Sequence, residues 1–489
     1  MSKKADQIVV PARPKRYEAL ADEIAEAIRS GALRAGDRLP SVRQASADRR
    51  VSPSTVFEAY YLLEARGLIA ARPRSGYYVT GASLPTTAPA AAAPVLAQPP
   101  GEVQAVAVAE RVQQLLGQTR DRDLVPLGSA FPSPELFPLP TLARALGRAM
   151  RALDPWRTVE DLSPGNETLR RQIAIRYIAA GFGLDPAELV ICNGAMEALN
   201  LCLEVVARPG DLVVVESPCF YGALQALERL GLRAVEVATD PRTGVDLGSL
   251  AELLQRHPVK ACWLMPNFQN PLGSLMPIDN KRRLVALLAA RGIPLIEDDV
   301  YGELYFGASR PPPAKAFDEA GLVLHCSSFS KTLAPGYRIG WAAAGRFAAE
   351  VGRRKLMSSL SAALPSQEGL AEYLQHGSYD RHLRQLRRSL ADSLARSLRA
   401  IAKHFPPGTR VTRPEGGYFC WVELPPQVDA LQLHRLALSH RISLAPGALF
   451  SADQRYRNHL RINYGHPQAG RSEAALKTVG QLACSLART

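Results

Sequence analysis

Residues 327–340 read Ser-Ser-Phe-Ser-Lys-Thr-Leu-Ala-Pro-Gly-Tyr-Arg-Ile-Gly, and this stretch decides the fold prediction for most of the chain. Lys331 can form a Schiff base with an aldehyde if its surroundings lower its pKa. Ser328 and Arg338, a hydroxyl and a guanidinium in the same run, can hold a phosphate group. A single lysine usually lies on the surface. The prediction therefore depends on the whole run and on its partners elsewhere in the chain.

The segments around this run alternate between short apolar strands and longer helices. Such alternation predicts a mainly parallel sheet covered by helices, which is an α/β fold. The last hundred residues differ, because a long basic amphipathic helix at 379–404 precedes strand-like runs at 418–424 and 460–464. They predict a smaller α+β region over about 380–489. The other expected strands are 189–192, 212–216, 234–237, 260–265, 294–298 and 323–327, and the expected helices between them are 195–207, 222–230 and 279–291.

The run at 327–340 resembles the lysine segment of class I aminotransferases of pyridoxal phosphate (PLP) fold type I. Five other segments match that family in its order along the chain, so the resemblance covers roughly 125–489. It implies PLP as the cofactor, with Lys331 as its covalent anchor. The matching segments are LVICNGAMEA at 189–198, ESPCFYG at 216–222, PNFQNPLG at 266–273, IEDDVY at 296–301 and LRINY at 460–464.

The first two matching segments imply contacts with the phosphate and with the pyridine ring. Gly194, Ala195 and Met196 stand where a strand turns into a helix, and they correspond to the family's phosphate cup. Free N–H groups and the helix dipole favour an anion at such a turn. Phe220 is the position that stacks over the ring, and the adjacent Tyr221 is the alternative.

The remaining segments imply contacts with the ring substituents and the ligand. Asn270 donates to the phenolic oxygen of the cofactor. Asp298, with Asp299 as the alternative, pairs with the pyridinium nitrogen and makes the ring an electron sink. Tyr301 follows Asp298 at the family's spacing of three. Arg461 grips the α-carboxylate of an amino acid, a task that suits a guanidinium fork better than an ammonium group.

One position departs from the aminotransferase pattern. Just before Pro-Gly-Asn-Glu-Thr-Leu-Arg at 164–170, the family commonly places a tyrosine that reaches the cofactor phosphate of the neighbouring subunit. Glu160 or Asp161 stands there in this chain. The departure argues against efficient transamination more than against PLP binding.

Residues 13–80 have the pattern of a helix–turn–helix with a β-hairpin wing. Apolar residues recur at helical spacing over 17–28, and further helices are expected at about 41–49 and 53–66. Ser41 and Ser52 are the expected N-caps, and Gly67 suits the end of the third helix. Strand-like runs at 68–72 and 77–79 flank a Pro-Arg-Ser-Gly turn. A third helix in this arrangement can enter the major groove of DNA.

The run GALRAGDRLPSVRQASADRRVSPSTVFEAYYLLEARGLIAARPRSGYYV at 31–79 resembles the GntR-type winged-helix family along its whole length. The family often has arginine where this chain has Pro53 and Phe57, so its base preference does not transfer. The candidate DNA-binding residues are Arg43, Ser52, Ser54, Thr55, Arg72, Arg74 and Gly76.

Composition and charge narrow the class of protein. The net charge is +13, and residues 1–80 hold 14 Lys/Arg against 9 Asp/Glu, a net charge of +5 that favours a polyanionic partner. Seven cysteines without a C-x-x-C pair argue against a disulfide framework or a metal site, and they fit a reducing cytoplasm. We expect neither a signal peptide nor a membrane span. Residues 81–105 are rich in Pro and Ala, so 81–122 is predicted to link domains at 13–80 and 123–489.

The combination of the two domains resembles the MocR family of bacterial transcriptional regulators. It implies a cytoplasmic homodimer that binds double-stranded operator DNA and senses an amino compound, or PLP itself, through an aldimine at Lys331. The alternative is an active class I aminotransferase carrying an accessory DNA-binding domain. A third possibility is a DNA-binding protein whose large domain serves only for dimerisation. The winged helix and the missing tyrosine favour the regulator.

Overall fold

The computed structural model describes residues 16–29, 33–34, 36–65, 67–72, 76–80, 92–94, 101–106, 108–110, 112–113, 121–376, 379–467 and 469–488. The chain divides into two compact units, Met1–Ala88 and Pro89–Thr489. In the described ranges, no helix has the length and apolar character that crossing a bilayer requires.

The first unit is a winged helix–turn–helix, as the sequence predicts. Ser41 Oγ accepts a hydrogen bond from Gln44 N, and Ser52 Oγ accepts one from Thr55 N, each at 3.2 Å, so both serines cap helices. Its described elements are α1 (Arg16–Arg29), α2 (Val42–Arg49), α3 (Pro53–Ala65), β1 (Ile69–Arg72) and β2 (Gly76–Val79), and the two strands pair antiparallel. Its core includes Ala21, Ile24, Val56, Ala59, Tyr60, Leu63 and Ile69.

A large sheet forms the centre of the second unit. Among the described residues its nine strands are β3 (Val103–Ala105), β5 (Leu189–Cys192), β6 (Leu212–Ser217), β7 (Arg233–Asp240), β8 (Gly244–Val245), β9 (Val259–Leu264), β10 (Leu295–Asp298), β11 (Val323–Ser328) and β12 (Gly340–Ala343). Strands β7, β6, β9, β10 and β11 lie side by side in that order, and each pair is parallel. The pairing is antiparallel at both sides of this group, where β3 pairs with β7 and where β12 lies between β11 and β5.

Helices cover both faces of this sheet, and the pleat of β6 shows how. Val213 and Val215 pack in a cluster with residues of two helices, Ala195–Val206 and Tyr221–Arg229, whereas Leu212 and Val214 pack with two others. The strand is therefore buried on both sides, as the all-apolar run Leu-Val-Val-Val predicts. The described helices of this region are α4 (Leu139–Arg151), α5 (Arg157–Glu160), α6 (Glu167–Ala179), α7 (Ala195–Val206), α8 (Tyr221–Arg229), α9 (Leu247–Arg256), α10 (Ile278–Ala289), α11 (Ala348–Ser359) and α12 (Leu364–His376).

The C-terminal region has its own antiparallel sheet. The basic helix predicted at 379–404 has these bounds in the structure, where it is α13 (Tyr379–His404). Strands β13 (Arg410–Val411), β14 (Phe419–Glu423), β17 (His459–Asn463) and β16 (Ala445–Pro446) follow one another across the sheet, and β15 (Ile442–Ser443) pairs with β4 (Val125–Pro126). Helices α14 (Ala430–Ser439) and α15 (Ala469–Leu486) complete the region.

Part of the predicted linker packs against the second unit. Val103–Ala105 forms an edge strand of the large sheet, and Val108 and Val112 are buried in its core. Residues 81–91 and 95–100 of the predicted linker lie outside the described residues. The strand escaped the sequence analysis because only three residues pair, next to a run dominated by Pro and Ala.

Replacing Leu63 with Ala should lower the free energy of unfolding of the first unit by about 2–5 kcal/mol, since the side chain is fully buried. Glu58→Ala, an exposed change on the same helix, should alter it by about 0.5 kcal/mol or less. Far-UV circular dichroism on heating would show an early transition in Leu63→Ala alone. The tryptophan fluorescence should not change in this early transition, because all four indoles lie in the second unit. A change would mean that the two units unfold together. The four residues are Trp156, Trp263, Trp341 and Trp421.

Candidate functional site

Three predicted residues of the second unit lie at the carboxyl ends of strands in the large sheet. Asp298 is the last residue of β10, Lys331 ends the 3₁₀ turn that directly follows β11, and Gly194 follows β5. Strands β5 and β11 both pair antiparallel with β12, which lies between them, so β5 and β11 run in the same direction, and β10 is parallel to β11. The three segments therefore leave the sheet at the same ends of the strands. Ligands of open α/β sheets bind at such carboxyl ends.

Lys331 is a partly buried residue whose amine has a strongly lowered pKa. Its Nζ donates a hydrogen bond to the carbonyl oxygen of Ala130 at 3.0 Å and lies 4.2 Å from the ring centroid of Phe131. Burial lowers the pKa to about 7, and the positive charge of Arg461 contributes in the same direction, while the carboxylate of Asp298 opposes both. A substantial fraction of this amine is therefore neutral and nucleophilic near neutral pH.

Asp298 offers a buried acceptor that none of the described donors satisfies. Its Oδ1 is shielded from solvent and has no hydrogen-bond partner among the described residues. Burial raises the pKa of Asp298 to about 7, and the neighbouring carboxylate of Asp299 adds to the rise. A protonated ring nitrogen is the kind of group that would complete this site.

Asp299, the alternative from the sequence, is already engaged. Asn267 Nδ2 donates to its Oδ1 at 2.8 Å, and Arg310 NH2 donates to its Oδ2 at 3.3 Å. The two carboxylates thus have different surroundings, and the geometry favours Asp298 as the partner of a ligand.

A tight turn beside Arg338 forms an anion cradle. Gly194 has φ +87°, and a Cβ at this position would lie 2.4 Å from Arg338 NH2, so a side chain would fill the space. The guanidinium donates to the carbonyl oxygen of Asn193 at 3.0 Å. Gly194 is also the N-cap residue of α7, whose first turn holds Ala195 and Met196 and receives no side-chain cap from the described residues. Uncapped N–H groups next to an arginine suit a phosphate.

Two residues that support this cradle were missed by the sequence analysis. Glu197 accepts a hydrogen bond from Asn193 N at 2.5 Å, and the buried Lys355 donates to Glu197 at 2.8 Å and to Ser359 at 2.7 Å. Burial alone would raise the pKa of Glu197, but the hydrogen bonds from Lys355 and Asn193 outweigh it and lower the pKa. Glu197 lies within the quoted motif, whereas nothing near Lys355 in the sequence indicates the contact.

Arg461 is fully buried in β17 rather than solvated. NH1 donates to Asn270 Oδ1 at 3.1 Å, and NH2 donates to the carbonyl oxygens of Gly128 and Ser129 at 2.7 and 3.2 Å. Its Nε has no partner among the residues described. The guanidinium also lies 4.2 Å from the ring centroid of Phe419. Backbone carbonyls occupy this fork, and a ligand carboxylate would compete with them.

The aromatic and hydroxyl positions are less decisive. The ring centroids of Phe220 and Tyr221 lie 5.0 Å apart, so both residues remain candidates for the position that stacks over the cofactor ring. Tyr301 is buried against Tyr418, with ring centroids 5.4 Å apart, and burial raises the pKa of Tyr301. Ser328 is buried, and its Oγ accepts a hydrogen bond from the backbone N of residue 330 at 3.3 Å.

Carboxylates stand where the family commonly has its phosphate-reaching tyrosine. Glu160 is exposed, and Asp161 accepts a hydrogen bond from Gln367 Nε2 at 2.6 Å. Burial raises the pKa of Asp161.

Four of the seven candidate DNA-binding residues, Arg43, Ser52, Ser54 and Thr55, lie on the helix–turn–helix. Arg43 and Ser54 are exposed, and Ser52 Oγ shares hydrogen bonds of 2.8 Å with the hydroxyls of Ser54 and Thr55. Gly76 has φ +105°. Arg72 belongs to β1, whereas Arg74 lies outside the described residues.

Arg38 was missed by the sequence analysis, although it stands in the quoted Gly-Asp-Arg-Leu-Pro run. Its exposed guanidinium lies beside Gly76, 3.5 Å from where a Cβ would stand. The contact joins the loop before α2 to the wing strand β2.

The comparisons with known proteins agree on two families. Residues 157–477 match aminotransferase class I and II, and residues 16–79 match the bacterial regulatory proteins of the gntR family. The HTH-type transcriptional regulator YdcR of Escherichia coli (strain K12) is 48% identical over 96% of this chain and 99% of its own length. YjiR of the same strain, also described as an HTH-type transcriptional regulator, is 38% identical over 95% of this chain and 98% of its own length.

A solved structure covers the second unit. LysN, an alpha-aminoadipate aminotransferase from Thermus thermophilus complexed with N-(5'-phosphopyridoxyl)-L-leucine, superposes with a TM-score of 0.70. The sequence identity is 31%, and the match covers 77% of this chain and 95% of LysN.

The lowered pKa of Lys331 predicts its reactivity. In protein free of carbonyl compounds, an amine-specific reagent should modify Lys331 with a midpoint near pH 7, because the amine is neutral and nucleophilic above its pKa. Asp298→Asn removes the negative charge that raises this pKa, so the midpoint should move to lower pH. Peptide mass spectrometry over a pH series measures both, with the exposed Lys403 as the reference for the reagent. A midpoint unchanged by Asp298→Asn would show that the two groups do not interact.

Proposed function

Because this chain belongs to the aminotransferase class I and II family and carries a GntR-family DNA-binding domain at residues 16–79, we propose that it is a MocR-type transcriptional regulator that senses a ligand at Lys331. Its cofactor is PLP. The relatives that match nearly the whole chain are transcriptional regulators by name, which supports regulation over catalysis as its main role. We further propose that it works in the cytoplasm as a homodimer on double-stranded operator DNA.

The observation that carries the ligand-sensing proposal is the pair of buried polar atoms without partners at the Lys331 site. Asp298 Oδ1 lacks a donor and Arg461 Nε lacks an acceptor among the described residues. Leaving such groups unpaired costs about 1–3 kcal/mol each, so a site that keeps them fits a ligand that satisfies them.

The residues present fit PLP and an amino acid together. Bound PLP supplies an aldehyde carbon for an amine and a ring that withdraws electrons. In our proposal, Lys331 would hold the aldehyde end of the cofactor, Asp298 would keep the ring nitrogen protonated, and Arg338 with the Gly194 turn would hold the phosphate. Asn270 donates to the phenolic oxygen.

Arg461 is the proposed anchor for the ligand. A carboxylate that binds its guanidinium competes with the carbonyl oxygens of Gly128 and Ser129. An amine on the same ligand then competes with Lys331 for the cofactor. Such a ligand changes operator affinity only if it binds two states of the regulator with different affinities.

A working aminotransferase is the second candidate function. The similarity to LysN and the presence of Lys331, Asp298 and Arg461 favour it. The carboxylates of Glu160 and Asp161, in place of a tyrosine, argue against efficient turnover.

Lys331→Ala should remove the visible absorbance of bound PLP and the effect of amino acids on the affinity for promoter DNA, because no amine remains to bond to the cofactor. Absorbance titration and fluorescence anisotropy on the same sample measure the two effects. Lys403→Ala, an exposed lysine, is the control. An unchanged DNA response in Lys331→Ala would contradict covalent sensing, and rapid turnover of the unaltered protein with any amino acid–keto acid pair would favour the aminotransferase.

Lys355→Met should weaken PLP binding by about tenfold or more, which corresponds to about 1.4 kcal/mol. The change leaves the carboxylate of Glu197 without its cation beside the phosphate cradle. Pyridoxal, which has no phosphate, should bind the unaltered protein and Lys355→Met with equal affinity. The double variant Lys355→Met/Glu197→Gln should recover the affinity for PLP. Equilibrium dialysis measures these constants, with Lys315→Met as a control that removes another paired lysine. Equal losses for PLP and pyridoxal would indicate a general structural defect instead.

A further inference from the structure

The third helix of the DNA-binding unit exposes two large aromatic side chains. Phe57 is 54% exposed and Tyr61 is 45% exposed, whereas Val56, Ala59 and Leu63 on the opposite face are fully buried. Large aromatic groups that remain exposed next to each other often mark a binding surface. The core of this unit is therefore complete without Phe57 and Tyr61.

These rings lie on the same face as a candidate DNA-binding residue. Ser54, Phe57 and Tyr61 follow one another at spacings of three and four, which places them in one stripe along α3. The second helix of a helix–turn–helix motif enters the major groove with its N-terminal residues against the base edges. In this unit that helix is α3, and Phe57 stands in its second turn.

The chemistry of an apolar ring selects one feature of the major groove. Base edges there present hydrogen-bond donors and acceptors, and thymine alone presents a methyl group. A phenyl ring makes no hydrogen bond to a base, but it can bury that methyl group. Arg43, Arg38 and Arg50 are exposed on the surrounding segments and have the charge to contact phosphates, so double-stranded DNA is the partner that this surface fits.

We propose that Phe57 is a specificity-determining residue that reads the C5-methyl group of a thymine in the operator, with Tyr61 extending the apolar contact. The inference rests on the proposed function as a DNA-binding regulator and adds the base chemistry to it. The carboxylate of Glu58, next to Phe57, repels phosphates. The exposed face of α3 therefore contributes sequence preference more than general affinity.

The test starts from a duplex selected out of a random library with the full-length protein. Each thymine of that duplex is replaced in turn by uracil, which pairs identically but lacks the methyl group. At one or two positions the substitution should weaken binding by about three- to fivefold, the value expected for one buried methyl group. Phe57→Ala should bind the thymine and uracil duplexes equally, and selection repeated with this variant should lose the preference for thymine there.

Two control variants separate this readout from other effects. Glu58→Ala changes the neighbouring exposed residue and should keep the preference for thymine. Arg43→Ala should weaken binding to all duplexes and reduce the slope of log affinity against log salt, because it removes a phosphate contact. Phe57→Ala should leave that slope unchanged.

The outcomes distinguish the inference from the proposed function. If no uracil substitution matters, or if Phe57→Ala keeps the preference, the methyl-reading role is wrong while DNA binding stands. If Phe57→Ala and Tyr61→Ala instead change only self-association in sedimentation, the rings form a protein interface and the inference is equally wrong. If the library yields no enriched duplex, the proposed function itself fails.

Discussion

The site depends on one constraint, which is that a partly buried lysine and a fully buried carboxylate lie together at the carboxyl ends of two neighbouring strands of the large sheet. Burial moves the pKa values of Lys331 and Asp298 to about 7 from opposite directions, and each charge favours the charged form of the other. The parallel strands β10 and β11 bring the two residues together, because Asp298 ends β10 beside β11 and the turn that holds Lys331 directly follows β11. The rest of the site supplies what this pair lacks, namely a cradle for an anion and a fork for a carboxylate.

Hydrogen bonds hold these additional groups in place. The Asn193–Gly194 turn is held from one side by Arg338 and from the other by Glu197, whose charge Lys355 balances. Arg461 is held by backbone carbonyls. These contacts orient the polar groups of the site toward one another.

Much of the fold and the outline of the site could be predicted from sequence, because the informative signals are local. The strands at 189–192 and 212–217, the helix at 379–404 and the lysine turn each lie within one continuous segment. The antiparallel strand β12 was not predicted, since Gly-Trp-Ala-Ala has no β-branched residue and its pairing depends on two distant strands. Ala130 and Phe131 were missed for the same reason, because some 200 residues separate them from Lys331.

The sequence by itself determined the winged helix and the α/β class of the second unit, many of their strands and helices, and the candidate lysine, carboxylate and arginine of the site, since these follow from periodicity and continuous motifs. Only the tertiary structure decided that Asp298, rather than Asp299, has an acceptor with no partner among the described residues, and that Arg461 is buried on the carbonyls of Gly128 and Ser129. It also decided that Phe57 faces solvent. The physical reason is that burial and hydrogen-bond satisfaction depend on contacts between segments far apart in the chain.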